Sequence, residues 1–282
     1  MPEALRAAAP KAVDITPVLS DAEFARFQRF IFDAAGITLG AAKKPLVTGR
    51  LGKRLAVYGL SSYAEYFRLL SSGQHPDETQ MAVDLLTTNE TYFFREAQHF
   101  ERLREHALAA RQDGRPYRVW SAASSSGEEA YSIAMVLAEC LGGAPWEVLG
   151  TDISLRVLQD AVRGLYTMER ARHLPPELMR RHCLKGTDEH AGRLMVRPEL
   201  RARVSFGQVN LNEPLPALGR FDFVFLRNVM IYFSDDTKRQ VVARVVSTLA
   251  PGGCLCVGHS ESLNHLTDAL RTVAPSMYCL DT

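Results

Sequence analysis

The chain has few cysteines, no long apolar run and almost no net charge, and each shortage excludes a class of protein. Its five cysteines are odd in number and lack the paired spacing of metal ligands, so we expect no metal ion and a reducing cytoplasm. No apolar run is long enough to span a bilayer and no signal-peptide segment is present, which predicts no insertion into a membrane. A net charge of +1 over 282 residues does not favour nucleic acid as a partner.

The residues that are present are those of a globular protein, with 46% hydrophobic and 23% charged side chains. Residues 1–17 are rich in Ala and Pro and are expected to form a flexible tail. Residues 18–86 predict four helices, because apolar residues recur there at helical spacing. Ser20 and Glu23 have the spacing of a capping box at the first of these helices. This part of the chain is expected to be an all-helical domain without catalytic groups.

The second predicted helix, at residues 43–58, carries a cluster of basic side chains opposite its apolar stripe. Charge runs of this kind are typical of a solvated helix face. The alternative is a docking surface for an acidic partner, and both interpretations stay open on the residues alone. The cluster consists of Lys43, Arg50, Lys53 and Arg54.

A polar and aromatic segment, LLTTNETYFFRE at residues 85–96, joins the helical part to the rest of the chain. The aromatic pair within it is expected in the core. Asn89, Thr91 and Arg95 are candidates for the rim of a pocket, because domain boundaries are favoured places for ligand sites.

The stretch VWSAASSSGEEAY at residues 119–131 predicts a strand, a turn of small residues and a helix. Small residues let the backbone of such a turn approach a ligand closely. A phosphate-binding turn offers N–H groups at a helix N-terminus, so Glu128 and Glu129 would repel phosphate there. The turn therefore favours a ligand with positive charge or hydroxyl donors.

A second strand is predicted at residues 146–152 and ends in Asp152. In nucleoside-binding α/β folds, an acid at this place holds the ribose hydroxyls. The alternative is that Asp152 caps the following helix, and the carboxylate can do both. Serines stand in the turn where a dinucleotide-binding turn would require glycines, which disfavours NAD as the ligand.

The rest of the chain predicts an insertion followed by further strands. Residues 170–204 interrupt the α/β alternation with a β-hairpin that either carries specificity or packs as a flap. The apolar run at residues 221–233 predicts a central parallel strand. Arg227 and Asn228 are polar groups within this run and are expected at the ligand edge of the sheet, with Tyr232 shortly after them.

Four segments together, LLTTNETYFFRE, VWSAASSSGEEAYS, RNVMIYF and VGHSES, resemble the chemotaxis receptor methyltransferase (CheR) family of class I S-adenosylmethionine-dependent methyltransferases. The resemblance implies an α/β fold with a Rossmann-like, mostly parallel sheet in residues 87–282. It also implies an all-helical N-terminal domain at 18–86 and a small antiparallel β-subdomain inserted at about 170–204. The chain departs from the family pattern at Ala130, where proline is common, and in the three serines of the turn.

The resemblance further implies a reaction, the transfer of a methyl group from S-adenosylmethionine to glutamate side chains of chemoreceptors. The product cofactor would be S-adenosylhomocysteine, and no metal takes part. Arg95 and Tyr232 are implied to face the reacting centre, while Glu128 is left to face solvent or to cap its helix. The positions that match the family's cofactor contacts are Asn89, Thr91, Arg95, Glu129, Asp152, Asn210, Leu211, Arg227 and Asn228.

Partners follow from the same resemblance. The basic helix would contact acidic receptor helices, and the hairpin at residues 183–197 would bind a C-terminal receptor peptide as an added strand. The protein is expected to act as a cytoplasmic monomer. Two other functions stay open: a methyltransferase for a different acceptor, and a non-catalytic S-adenosylmethionine-binding signalling module.

Overall fold

The computed structural model describes residues 17–110 and 115–281, so the predicted tail lies almost wholly outside the described residues. The N-terminal part is helical, and its first helix begins and ends where local signals place the boundaries. The hydroxyl of Ser20 accepts the N–H of Glu23, and the Glu23 carboxylate accepts the N–H of Ser20 at 2.8 Å. Gly36 ends this helix in a left-handed conformation with φ of 70°. The helices are α1 (Asp21–Ala35), α2 (Lys44–Val57), α3 (Tyr63–Ser71) and α4 (Pro76–Leu86).

The basic face predicted for α2 is only partly present. Arg50 donates hydrogen bonds to two backbone carbonyls at the end of α4, at 2.7 and 2.9 Å. Arg54 forms an ion pair with the buried Glu78 of α4. Lys43 and Lys53 are exposed. The prediction of four solvated basic side chains is therefore wrong for Arg50 and Arg54, because spacing along one helix does not show the partners that a second helix supplies.

The second part alternates strands and helices around one large sheet. Helix α5 and the short strands β3 and β9 are not predicted from the sequence. The elements are α5 (Gln98–Ala110), β1 (Tyr117–Ser121), α6 (Glu128–Leu141), β2 (Trp146–Asp152), α7 (Leu155–Arg163), β3 (Leu165–Thr167), α8 (Pro176–His182), β4 (Cys183–Lys185), β5 (Arg193–Val196), α9 (Pro198–Arg201), β6 (Val204–Gln208), β7 (Phe221–Leu226), α10 (Asp235–Val246), β8 (Leu249–Val257), β9 (Arg271–Ala274) and β10 (Met277–Cys279).

Within the described chain, seven strands form the main sheet in the order β6-β2-β1-β7-β8-β10-β9. The first five strands are parallel and the last two pair antiparallel. Ser121 at the end of β1 lies beside Gly150 of β2 and Phe225 of β7, so the carboxyl ends of these strands meet at one edge. The predicted α/β class with a mostly parallel sheet is confirmed.

The central strands of the sheet are buried on both faces, and each face belongs to a different hydrophobic core. One core joins the N-terminal helices to the sheet, with Phe27 and Val47 in the same cluster as Trp120. The other packs α5, α6 and the small subdomain against the opposite face. Asp84 of α4 also accepts the backbone N–H groups of Leu155 and of the residue after it, both at 3.1 Å. The helical part is thus fixed against the carboxyl edge of the sheet.

The inserted segment forms the predicted antiparallel subdomain, in which β4 and β5 pair as a hairpin and β3 adds a third strand. Gly186 follows β4, and a Cβ there would lie 2.0 Å from the carbonyl oxygen of His190, so the hairpin turn requires glycine.

Cys254 and Cys256 of β8 are buried, as predicted. Cys254 is in addition joined to Cys279 by a disulfide across β8 and β10. The sequence leads us to expect a reducing compartment, where disulfides are rare, so this bond is not predicted. No helix in the described ranges combines the length and apolar character needed to cross a bilayer.

Candidate active site

A pocket lies at the carboxyl ends of β1, β2 and β7, where the N-terminal helices cover this edge of the sheet. Ligands of open α/β sheets bind at this kind of place. Ala35 and Ile37 of the helical part contribute to one wall. All ten residues that the sequence predicts for the site line this pocket: Asn89, Thr91, Arg95, Glu129, Asp152, Asn210, Leu211, Arg227, Asn228 and Tyr232.

The small-residue turn between β1 and α6 has the close backbone packing that its sequence predicts. Gly127 has φ of 93°, and a Cβ on it would lie 2.9 Å from the Cβ of Ala161, so both the conformation and the space require glycine. Ser125 also has a positive φ, of 50°, and its N–H donates to Asp152 at 2.9 Å. The turn is therefore tied to the end of β2.

Asp152 lies at the pocket and close to the start of α7, although the N-cap residue of that helix is Ser154. Its side chain lines the pocket, and its second carboxylate oxygen accepts the N–H of Ser154, at the entry to α7, at 3.0 Å. Burial raises the pKa of Asp152, and the N–H groups of Ser154 and Ser125 oppose that rise. A carboxylate accepts about four hydrogen bonds. Asp152 thus retains acceptor capacity for a hydroxyl donor in the pocket.

The two adjacent acids of the turn lie in different surroundings. Glu129 faces the pocket, where it accepts the hydroxyl of Ser121 at 2.7 Å and a guanidinium N–H of Arg227 at 2.9 Å. Burial raises the pKa of Glu129, against the charge of Arg227. Glu128 is fully buried away from solvent and forms an ion pair with Arg170 of the inserted segment. Of the two alternatives for Glu128, exposure to solvent is wrong, because a distant segment supplies a buried partner; its place as the first residue of α6 leaves the helix-terminus alternative open.

Arg227 lies at the centre of the polar groups beneath the pocket. Its side chain is 1% exposed and lies 3.1 Å from Glu96, in addition to its contact with Glu129. It also donates to the backbone carbonyl of Arg95. The Nε atom of Arg227 makes no hydrogen bond to any described residue. One buried cation thus holds two carboxylates at fixed positions below the ligand space.

Three residues around this cation have a strained backbone. Phe94, Glu96 and Asn228 have φ of 55°, 59° and 57° without being glycine. Such conformations cost of order 1–3 kcal/mol each and cluster at functional sites. Asn228 is held in place by Glu261, which accepts its backbone N–H at 2.7 Å. The strain thus falls on the two segments that border the predicted reacting centre.

The two residues predicted at the reacting centre come from separate loops. Arg95 donates to the carbonyl of Glu90 at 3.1 Å, and its guanidinium lies 5.7 Å from the ring centre of Tyr92. Tyr232 lies in a short helical turn after β7, and its carbonyl accepts the N–H of Thr38 at 2.8 Å. The helical part thereby fixes the loop that carries Tyr232.

The fold and this pocket agree with what comparison with known proteins finds. The chain matches the SAM-binding domain of the CheR methyltransferases over residues 89–279 and their all-alpha domain over residues 22–87. It belongs to the CheR methyltransferase family.

CheR relatives match nearly the whole chain. The chemotaxis protein methyltransferase of Escherichia coli is 44% identical over 265 residues, which cover 93% of this chain and 92% of that protein. That of Salmonella typhimurium is 43% identical and covers 93% and 91%. Chemotaxis protein methyltransferase 2 of Pseudomonas aeruginosa is 41% identical and covers 91% and 92%.

Several polar residues next to those that line this CheR pocket are not singled out by the sequence. Glu96 binds Arg227, and Glu261 also accepts the N–H of Gly258 at 2.7 Å. His99 is buried next to them, and burial lowers its pKa to about 4. Glu96 and Glu261 lie in two of the segments that carry the family resemblance, LLTTNETYFFRE and VGHSES. Their place in those segments is the sequence signal that could have identified them.

Proposed function

We propose that this CheR methyltransferase transfers the methyl group of S-adenosylmethionine to glutamate side chains on chemoreceptor cytoplasmic helices and so forms glutamate methyl esters. The observation that carries the proposal is the convergence of all ten predicted site residues on one pocket at the carboxyl edge of the sheet. The family match and the names of the similar proteins support methyl transfer in chemotaxis.

The donor and acceptor groups of the pocket fit S-adenosylmethionine. That cofactor has ribose hydroxyls, an ammonium, a carboxylate and a sulfonium. Asp152 would hold the ribose hydroxyls through its remaining acceptor capacity. Glu129, already fixed by Ser121 and Arg227, would accept from the ammonium. Arg95, at the pocket rim, would lie near the cofactor's carboxylate.

The reaction requires positioning and exclusion of water rather than a general base. When bound, S-adenosylmethionine supplies a methyl group on a cationic sulfur, and its transfer to a carboxylate cancels one positive and one negative charge. The acceptor glutamate is already ionised at neutral pH, since its free pKa is about 4.3. Ile153, Val209 and Leu211 give the pocket an apolar wall, which reduces hydration of the incoming carboxylate.

Arg95 and Tyr232 would orient the acceptor. Arg95 can pair with the glutamate carboxylate, and the hydroxyl of Tyr232 can donate to one of its oxygens. Holding the two reacting groups in line lowers the activation barrier by about 7–11 kcal/mol at most. The loops that carry both residues are fixed through their backbone carbonyls: that of Arg95 accepts from the Arg227 side chain, and that of Tyr232 accepts the N–H of Thr38.

Receptor contacts are proposed at two surfaces. The exposed Lys43, just before α2, and Lys53 on α2 remain suited to an acidic receptor helix, whereas Arg50 and Arg54 bind within the helical part itself. Strand β4 is an edge strand of the small sheet, so a receptor tail can add there as a further strand. Leu184 of β4 is 39% exposed and would contact the tail. The protein would act as a cytoplasmic monomer.

Titration with a C-terminal receptor peptide that contains an aromatic residue tests the edge-strand surface. We expect saturable heat in calorimetry. Leu184→Lys should weaken peptide binding. Val57→Lys is the control and should bind the peptide like the wild type, because Val57 is also exposed but lies on α2, outside the small sheet. Absence of saturable heat with the wild type would contradict peptide binding at β4.

A radiolabelled methyl-transfer assay on receptor-containing membranes tests the proposed reaction. We expect label on the receptor that mild alkali releases as methanol, since glutamate methyl esters are base-labile. Label that resists alkali would point to a different acceptor. Absence of label, despite binding of S-adenosylhomocysteine, would instead support a non-catalytic binding module.

A further inference from the structure

A possible set of metal ligands lies beside the polar groups beneath the pocket. It consists of Glu96, His99 and His259, whose ligand atoms all lie within 4.8 Å of one another. One oxygen of Glu96 is 3.4 Å from Nδ1 of His99 and 3.8 Å from Nε2 of His259. In a tetrahedral zinc site with bonds of about 2.1 Å, neighbouring ligand atoms lie about 3.4 Å apart. The three side chains therefore need only small shifts to bind one ion.

His99 points to a ligand at this cluster independently of the distances. Its side chain is 3% exposed, and neither ring nitrogen makes a hydrogen bond within residues 17–110 and 115–281. The contact of Nδ1 with Glu96 lacks hydrogen-bond geometry. A buried polar group without a partner destabilises the folded protein. A bound cation would satisfy one nitrogen of His99 in the direction of Glu96.

The charges around the cluster favour a cation. Glu96 and Glu129 share a single buried guanidinium, that of Arg227, which leaves an excess of negative charge. His259 is 51% exposed, so one side of the cluster is open to solvent. An ion bound there would keep a coordination position for water, as three-ligand zinc sites do.

We propose that Glu96, His99 and His259 bind a divalent transition-metal ion of the zinc type, and that this ion weakens cofactor binding. The expectation of no metal rests on cysteine spacing and on the family resemblance. It does not detect this cluster, because the two histidines lie far apart along the chain. The effect on the cofactor rests on the function proposed above. The Glu96 oxygen that faces both histidines also lies 3.1 Å from Arg227. A metal ion on that oxygen would compete with Arg227 and repel it, and Arg227 holds Glu129 in the pocket.

Calorimetric titration of zinc into the full chain, purified without a histidine tag, tests the site. We expect one saturable site in the wild type and at least a tenfold weaker affinity in His259→Ala. His190→Ala is the matched control, because His190 is 50% exposed and lies 3.7 Å from Glu189, nearly the exposure and distance of His259 from Glu96. It should bind zinc like the wild type. Equal affinity in His259→Ala, or no saturable binding to the wild type, would overturn the site.

Cobalt provides a second readout that reports the ligands directly. Visible absorption bands of bound Co²⁺ should appear with the wild type and His190→Ala and be lost in His259→Ala. His99→Gln should also lose them while its thermal unfolding stays cooperative. Bands of equal strength in all of these variants would overturn the assignment of the ligands.

The effect on the pocket is tested with S-adenosylhomocysteine in the presence and absence of saturating zinc. We expect zinc to weaken its binding at least tenfold in the wild type and to leave its binding to His259→Ala unchanged. By linkage, the product cofactor should weaken zinc binding by the same factor. Equal affinity with and without bound zinc would overturn the coupling. Failure of S-adenosylhomocysteine to bind under either condition would instead contradict the proposed function.

Discussion

Two clusters of the same three residue types lie in different parts of the molecule. Both contain an arginine, a glutamate and a tyrosine, and both include a buried ion pair. The first lies between α2, α3 and α4 in the helical part, and the second borders the pocket at the carboxyl edge of the sheet. Their members are Arg54, Glu78 and Tyr66 in the helical cluster, and Arg227, Glu129 and Tyr232 in the pocket cluster.

The helical cluster is closed. Glu78 accepts hydrogen bonds from Arg54 at 2.8 Å and from the hydroxyl of Tyr66 at 2.6 Å. Burial tends to raise the pKa of Glu78, but the hydrogen bonds from Arg54 and Tyr66 outweigh it, so the pKa lies below its ordinary value of 4.5. All three side chains lie on regular helices. Their polar capacity is used within the cluster, which makes it a stabilising element.

The pocket cluster is open. The pKa of Glu129 is raised by burial even though Arg227 is next to it. Nε of Arg227 has no partner within the described ranges, and the neighbouring Asn228 has a strained backbone. Polar capacity that the protein itself leaves unused is available to a ligand. Residue types alone therefore do not separate a structural cluster from a functional one, whereas the completeness of their hydrogen bonding does.

The largest effect is expected on stability in the helical cluster. Arg54→Ala leaves Glu78 buried without its cation, which should lower the free energy of unfolding by about 3–5 kcal/mol in urea denaturation. The matched control is Arg239→Ala, which removes an exposed ion pair with Asp236 and should cost less than about 1 kcal/mol. Equal losses in the two variants would contradict a structural role for Arg54.

The tyrosines should separate turnover from stability. Tyr232→Phe is expected to lower kcat about 100-fold, as loss of one group that stabilises the transition state does, with little change in the affinity for S-adenosylhomocysteine. Tyr66→Phe should lower the melting temperature through loss of its hydrogen bond to Glu78 and leave kcat unchanged. Unchanged turnover in Tyr232→Phe would remove that residue from the reacting centre.

The smallest effect is expected in the dependence of stability on pH. Because the folded pKa of Glu78 is below 4.5, its contribution is fully present above pH 4.5 and is lost as the pH falls through the folded pKa. The raised pKa of Glu129 gives the opposite dependence of stability on pH. Its contribution makes the protein less stable as the pH rises from 4.5 through the folded pKa. The measurement is the free energy of unfolding in urea, taken from neutral pH downward. Glu78→Gln should remove the loss of stability at falling pH, and Glu129→Gln should remove the loss of stability at rising pH. Parallel pH profiles would contradict the comparison.

Much of the pocket could be predicted from the sequence because its residues follow local signals. Glu129 stands at the start of a helix after a small-residue turn, and Asp152 stands at the end of an apolar run. Parallel strands bring their carboxyl ends to one edge, so residues placed at strand ends come together without knowledge of the packing. Whether they contact the cofactor stays a prediction.

The partners of buried charges could not be predicted in this way. Arg54 finds Glu78 on another helix, and Glu128 finds Arg170 in the inserted segment. On a single helix, both Arg54 and Glu128 are indistinguishable from solvated charges. Helix α5 is not predicted from the sequence for a related reason. Its buried side chains, such as Leu103, lie among many polar residues, so its apolar pattern is weak. These features depend on which elements pack together, and spacing along one element does not contain that information.

Calorimetric titration of S-adenosylhomocysteine into the wild type, Glu129→Gln and Glu78→Gln distinguishes the open cluster from the closed one. We expect saturable binding to the wild type, at least tenfold weaker binding to Glu129→Gln, and binding within twofold of the wild type for Glu78→Gln. Equal affinity in the two variants, or weaker binding in Glu78→Gln than in Glu129→Gln, would contradict the assignment of the open cluster to the ligand and of the closed cluster to stability.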